Sequence, residues 1–404
     1  TFGIGPKFFT ELAKFRAWRV LVSKLLVASG VDPAAATGMA VHAKVGAWNQ
    51  TQLDAHANML RSTTAALSGV LGGVNGLQVP SFDEALGGDS VMGERIARNL
   101  HAVIGEEFGF GNPQDAGGGS WYIENHSDEL ARGAWEVFRA IEKQGGMRAA
   151  LKAEWPQSEI QSVVADRTKA HSVRRSGLVG TNVFPNLQDK LPAVASDPVA
   201  PGANGLDTVG ARVWPDCLSA ASSAVRDGVA VTAAGPAPAE TGAMTTFAPL
   251  GTYRAAAVFE DLRRRAQAIA EERGRAPSAL LLKMGPVKQH KPRADFSAEF
   301  VSVGGFVPDT KTTYATASEA AMAAIEGEAD VAVICSTDDT YPELVPEIAR
   351  AIKAAKPGMS IVLAGLPRDE AVVQCFRDAG VDEFIHVLAH VPDVLGRLLT
   401  AIEA

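Results

Sequence analysis

Cysteine is scarce in this sequence: Cys217, Cys335 and Cys375 are the only three in 404 residues, far apart and without a CxxC pair. That usage excludes a disulfide framework and a structural zinc site, and it fits a reducing cytoplasm. No uninterrupted apolar run comes near the roughly 18 residues that a membrane-spanning helix needs, so no membrane partner is expected. Clustered positive charge is also lacking. Lys and Arg number 38 against 46 Asp and Glu, for a net charge of −8. The counterion release that drives nucleic-acid binding therefore has no source, and nucleic acid is excluded as a partner. The sequence has no GxxxxGK, GxGxxG, GxSxG or HExxH run, which removes the signatures of P-loop, dinucleotide, nucleophile-elbow and zincin sites. It opens Thr1-Phe2-Gly3-Ile4-Gly5-Pro6, with no Met and no basic region before an apolar core, so no signal peptide is expected.

What is present is a chain 47% hydrophobic and 21% charged, the composition of a soluble protein with two or three domains. Residues 8–30 read as a helix, with Phe8, Leu12, Phe15, Val22 and Leu26 on one face, Pro6 ahead and Gly30 behind. Residues 41–45 read as a short strand. A helix over 54–71 places Leu60, Thr64, Leu67 and Val70 on its inner face and stops before an Asn75-Gly76 turn. Further helices are expected at 91–107, with Ile96, Leu100, Val103 and Ile104 inward, at 127–144 with Ser127 or Asp128 as cap, and at 156–176. A strand is expected at 178–183. From 184 to about 248 Pro, Ala, Gly, Ser and Asp rise and periodicity fades, so this stretch reads as a linker with short helices near 218–226.

After a charged helix at 254–273 the pattern alternates. Strands are expected at 279–284, 299–304, 331–335, 361–364 and 384–387, and helices at 317–327, 341–355, 368–379 and 391–403. Apolar strands between amphipathic helices predict a parallel sheet covered on both faces, a flavodoxin-like doubly wound unit.

Several ordered runs resemble the adenosylcobalamin-dependent methylmalonyl-CoA mutase family. They are Phe8-Phe9-Thr10-Glu11-Leu12-Ala13-Lys14-Phe15-Arg16-Ala17, Asn58 with Arg61-Ser62-Thr63, and Ser81-Phe82-Asp83-Glu84-Ala85-Leu86. Arg95-Ile96-Ala97-Arg98-Asn99, Gly118-Gly119-Ser120-Trp121-Tyr122-Ile123-Glu124, Gly145-Gly146-Met147 and Gly180-Thr181-Asn182 follow in family order. The resemblance implies an α/β chain of three parts. Residues 1–186 would be the C-terminal part of a (β/α)8 TIM-type barrel, 187–275 a linker with a helix near its end, and 276–404 a flavodoxin-type, cobalamin-binding-like domain. The part before the linker is shorter than the ~250 residues of a typical barrel. The expectation is a subunit whose first barrel segment lies outside this sequence or on another chain.

The family holds cobalt through the histidine of a D-x-H-x-x-G loop after the first strand of its C-terminal domain, with the Asp fixing the imidazole tautomer. Counted from Lys283-Met284-Gly285, this sequence has Val287 for the Asp, Gln289 for the His and Pro292 for the Gly. A register slipped by one residue makes His290 the ligand but puts Lys288 at the carboxylate position and Arg293 at the glycine. A cation cannot accept the imidazole N–H, so His290 is read as a solvent-exposed loop histidine. The S-x-L of cobalamin-binding relatives is replaced by Cys335-Ser336-Thr337-Asp338-Asp339, and their Gly-Gly by Ala364-Gly365.

In the barrel part, the family's G-G/H-T-Q-S-L-H-T-N run reads Gly72-Gly73-Val74-Asn75-Gly76-Leu77-Gln78-Val79-Pro80, so Gly73, Asn75 and Gln78 mark degenerate substrate positions. The remaining histidines lack metal spacing. Of these, His386 and His390 face the same rim as the corrinoid loop, and Arg263-Arg264-Arg265 read as a solvated, salt-bridged helix face.

The expectation is the small, structural subunit of a heterodimeric methylmalonyl-CoA mutase, with no catalytic residue, metal or cofactor of its own. The large subunit would carry adenosylcobalamin and the radical isomerisation of methylmalonyl-CoA to succinyl-CoA. The alternatives are an active cobalamin-dependent acyl-CoA mutase with a divergent cofactor loop, or a scaffold for another acyl-CoA enzyme.

Overall fold

The computed structural model describes residues 1–88, 90–191 and 248–403. The helices expected near 218–226, together with Trp214 and Cys217, lie outside these residues. Among the described residues the fold is mixed α/β with two parallel sheets.

The first sheet has three strands in the order β1 (Phe2–Ile4), β2 (His42–Val45) and β3 (Gly76–Gln78). Parallel neighbours need crossover helices. These are α1 (Phe8–Ala28) with the short α2 (Pro33–Thr37), then α3 (Ala57–Leu71). Alternation along β2 turns Ala43 and Val45 toward a core shared with Ile4, Phe15 and Ala65.

The inner face of α3 is not the stripe read from its sequence. Leu60 is 73% exposed, whereas Asn58, Ser62, Ala65, Ala66 and Gly69 are buried. Small residues let this helix approach the strands closely: a Cβ at Gly69 would stand 2.8 Å from Ile4 Cδ1. The buried polar groups are satisfied, since Asn58 Nδ2 donates to Thr51 O and Phe82 O, both at 2.8 Å, and Gln50 Nε2 donates to Ser62 Oγ.

The stretch expected as one helix over 91–107 is α4 (Val91–Ala102) followed by a π turn, Val103–Glu107. Its apolar side is open: Ile96, Leu100, Val103 and Ile104 line a groove of ≈ 380 Å³ with Phe108 and Phe110. Helix α5 (Trp121–Lys143) begins two turns earlier than expected, on the loop glycines, so Ser127 is a buried interior residue and not a cap. A short α6 (Met147–Lys152) precedes α7 (Trp155–Ser172).

No strand forms at 178–183. Asn182 folds that segment into a tight loop, its Oδ1 accepting from Leu178 N at 2.6 Å and its Nδ2 donating to His171 O and Ser176 O at 2.9 Å. Local side-chain hydrogen bonds have displaced the ladder.

Helix α8 (Ala257–Arg273) leads into the second sheet. Its Arg263 is not solvated: Nη2 donates inward to Asn186 O at 2.9 Å and Asp189 O at 3.3 Å, and the residue is buried. Arg264 and Arg265 pair with Asp261 and Glu403.

Six parallel strands follow: β4 (Ser278–Met284), β5 (Val307–Asp309), β6 (Thr313–Tyr314), β7 (Val331–Cys335), β8 (Ser360–Ala364) and β9 (Glu383–Ile385). Their order is β5-β4-β7-β8-β9, with β6 continuing beside β4. Helices α9 (Val287–Val303) and α13 (Val391–Glu403) cover one face with α8, around Phe259, Phe300 and Leu395. On the other face α10 (Ala317–Glu326), α11 (Tyr341–Ala355) and α12 (Glu370–Ala379) pack around Tyr341, Ile348 and Phe376. The capping box of Thr316 and Glu319 starts α10.

The strand expected at 299–304 is instead the end of α9. Phe300, Val301 and Val303 are buried against the sheet as one helix turn, and the short β5 and β6 take the place beside β4. A four-residue apolar run does not by itself distinguish a buried strand from a buried helix.

Candidate functional site

The carboxyl ends of parallel strands are where open α/β sheets bind ligands, and β4, β7, β8 and β9 all end at one rim. At the end of β4, Gly285 has a φ of +73° and its N–H donates to Tyr314 O. Only Pro286 separates it from α9. The region expected as a polar loop is therefore helical from Val287, with Pro292 inside the helix.

This changes the standing of His290. It is 4% exposed, and its Nδ1 lies 3.0 Å from Gly285 O, a contact that caps the strand-to-helix turn. A solvent-exposed loop histidine is not what the chain contains. Val287 projects outward and Gln289 folds back over Gly285, where a Cβ would collide with Gln289 Oε1. Val287, Gln289, His290 and Pro292 thus form no set that could hold a metal. Among the described residues no group of three or more His, Cys, Asp or Glu is placed to do so.

The same rim is closed at β7 and β8. The Tyr341 hydroxyl donates to Ala364 O at 2.6 Å and accepts from Ser336 N at 3.1 Å, tying the two strand ends together. Burial pushes this phenol up to about 12. Thr340 Oγ1 donates to Ser336 Oγ at 2.8 Å. Arg293, from the second turn of α9, lies 5.0 Å over the Tyr341 ring and donates from Nη2 to Asp338 Oδ1 at 2.8 Å. Asp338 and Asp339 therefore sit beside an arginine of this chain.

Cys335 is fully buried with its thiol pushed up to about 12 by desolvation, a packed core thiol and not a ligand. At the end of β9, His386 and His390 line a small cavity of ≈ 280 Å³ with Leu366, Arg377 and Arg397. His390 Nδ1 stands 2.9 Å from Asp393, and burial lowers the pKa of His386.

The cofactor that the sequence resemblance implies was a corrinoid with a histidine ligand, and this rim does not fit one. A helix turn stands where a loop is needed, its imidazole, that of His290, is buried on a backbone carbonyl, and an arginine side chain fills the space between β7 and β8. No chemical step can be derived through such a group here.

In the three-stranded sheet, Gly73 and Asn75 line one cavity of ≈ 810 Å³ with Arg16 and Arg19, whereas Gln78 lies apart from them. Gly73 O accepts from Arg19 Nη2. Asn75 Oδ1 accepts from Val41 N at 2.9 Å and Asn75 N donates to Val41 O at 2.7 Å, so Asn75 clamps the amino ends of β2 and β3. Gln78 is exposed at the opposite end of β3, in register with Lys44.

Sequence reasoning missed the Arg293, Asp338 and Tyr341 cluster. The signal was present as an arginine at a glycine position, but its meaning depends on what the side chain meets.

The family model described as methylmalonyl-CoA mutase matches residues 1–208. The small subunit of methylmalonyl-CoA mutase from Porphyromonas gingivalis is 29% identical over 395 residues, covering 98% of this chain and 56% of that protein. The small subunit from Streptomyces virginiae is 31% identical over 357 residues, covering 88% of this chain and 50% of its own length. A probable small subunit from Mycobacterium tuberculosis is 31% identical over 402 residues, at 98% and 55% coverage. The chain spans about half the length of the curated relatives it matches.

Proposed function

Because the chain belongs to the methylmalonyl-CoA mutase family, we propose that it is the small, structural subunit of a heterodimeric mutase and binds no corrinoid of its own. The reading rests on one observation above others: helix α9 and Arg293 occupy the rim where a cofactor would enter. The partner is then a large subunit that carries adenosylcobalamin and isomerises methylmalonyl-CoA to succinyl-CoA. Residues 1–186 are read as part of a TIM-type barrel, on the support of three parallel strands with crossover helices. Residues 276–404 are read as a flavodoxin-like unit, on the support of the β5-β4-β7-β8-β9 order, with 187–275 between them as a linker.

The work left for such a subunit is to hold its partner. An aromatic surface at the start of α1 and α5 supports that role: Trp121 is 83% exposed, and Phe9 packs edge-on against Tyr122 at 5.5 Å. Exposed clusters of this kind mark contact surfaces, and obligate pairs bury more than about 2,000 Å². Among the described residues no helix is long and apolar enough to cross a membrane.

The test is to purify the chain alone and with the large subunit, and to titrate each with cobalamin. The expected result is a corrinoid spectral change only when the large subunit is present, and a one-to-one complex by native mass. Micromolar binding by the isolated chain would overturn the proposal.

A further inference from the structure

The rim between β7 and β8 is filled by a single side chain, and the filling has the form of a ligand in a seat. One wall is the ring of Tyr341, 1% exposed and held from both sides by Ala364 O and Ser336 N. The second is the carboxylate of Asp338, 2.8 Å from Nη2. The third is Gly365, at a φ of +144°, where a Cβ would stand 3.0 Å from Arg293 Nη1. Nη1 itself is buried and finds no hydrogen-bond partner among the described residues. A glycine that leaves room, a ring face and a carboxylate together suit a flat cation. A guanidinium stacks on aromatic faces and forks onto carboxylates, whereas a compact ammonium does neither as well.

We infer that Arg293 is a built-in occupant of this seat, and that the seat, once emptied, takes a free guanidinium-type cation in its place. The inference deepens the reading of a cofactor-free rim and rests on it. Its physical content is that two of the three walls are set by contacts other than Arg293: the Tyr341 hydroxyl is held by Ala364 O and Ser336 N, and Gly365 N by Ile385 O at 2.8 Å, while the exposed Asp338 carboxylate pairs with Arg293 itself. Truncating Arg293 therefore leaves the ring and glycine walls standing, with the Asp338 carboxylate released at the mouth to meet an incoming cation.

The experiment compares thermal unfolding of the unaltered chain, Arg293→Ala and Arg293→Met in guanidinium chloride at low-millimolar concentration, with sodium and ammonium chloride as ionic controls. The expected result is that Arg293→Ala melts several degrees lower and that guanidinium alone restores most of the loss. Arg293→Met, whose chain fills the seat, should gain nothing. If guanidinium shifts Arg293→Ala no more than it shifts the unaltered chain, the inference is overturned. Should Arg293→Ala not fold, phenylglyoxal mapping of the unaltered chain decides. Arg293 is expected to react many-fold more slowly than the exposed Arg139, and equal rates overturn the inference. Cobalamin binding by the unaltered chain would instead sink the cofactor-free reading, an outcome distinct from a failed guanidinium response.

Discussion

Arg254 and Glu260 form a doubly hydrogen-bonded ion pair at the start of α8: Nη1 meets Oε1 at 2.8 Å and Nη2 meets Oε2 at 2.6 Å. Glu260 is fully buried, and its Oε1 also accepts from Gln52 N at 2.8 Å. The helix that leads into the six-stranded sheet is thus tied to the loop after β2. Glu260→Ala leaves Arg254 and an amide without their acceptor. The expected cost is about 3 kcal/mol, the lower end for breaking a buried pair, because Arg254 keeps some contact with solvent. Urea unfolding measures it, and a loss below the level of a surface pair would sink the idea that this contact carries the junction.

Restoring the family's letters does not restore its site. In Val287→Asp/Gln289→His/Pro292→Gly the new Asp and His would lie two residues apart on a helix, about 200° around its axis, so the carboxylate cannot reach the imidazole. Arg293 would also remain in place. The triple variant is expected to show no shift in the cobalamin absorption spectrum on mixing. A shift to a histidine-ligated spectrum would show that α9 unwinds at little cost.

Cys335 at the end of β7 and Cys375 on α12 differ in exposure, and so in expected reactivity. Cys335 is buried and its thiol stays protonated through the range where ordinary thiols ionise, whereas Cys375 is exposed. Peptide mapping after treatment with iodoacetamide at mildly alkaline pH is expected to find Cys375 alkylated and Cys335 intact until denaturant is added. Equal labelling in the native state would contradict the packing around Cys335.

Asp330 sets a pH dependence at the amino end of the same sheet. Burial alone would raise its pKa, but hydrogen bonds from Arg275 and from Ser278 N outweigh it and hold the carboxyl below its ordinary 3.8. Arg275 is bidentate at 2.8 and 2.9 Å, and the Ser278 amide is at 2.9 Å. A depressed folded-state pKa contributes stability above the unfolded value, and that contribution is lost as pH falls through the folded one. The stability gap between the unaltered chain and Asp330→Asn is therefore expected to be full at neutral pH and to shrink below about pH 4. A gap that is constant with pH would mean that the charge is not what matters.

Much of the second sheet was legible in the sequence. Helices α11 and α13 begin and end where their apolar periodicity does, since amphipathic segments bounded by polar turns admit few alternatives. The run Phe300-Val301-Ser302-Val303 was not legible, because β-branched and aromatic content suits a strand and a buried helix turn equally. Helix α3 misled for a related reason. Of its expected inner stripe Leu60 and Thr64 are exposed and Leu67 and Val70 only half-buried, while small residues and satisfied polar ones face the strands, which the close approach of the backbone explains.

The sequence by itself determined the family, the alternation of strands and helices, and the absence of an Asp, a His and a Gly at Val287, Gln289 and Pro292, because these depend on local pattern and on which side chain stands at a position. Only the tertiary structure decided what replaced them. That α9 starts directly after Pro286, that His290 turns inward onto Gly285 O, and that Arg293 rests between Tyr341, Asp338 and Gly365 depend on contacts between residues as far apart as positions 293 and 365. No local propensity encodes such contacts, because each is fixed by the strands that bring its partners to one rim.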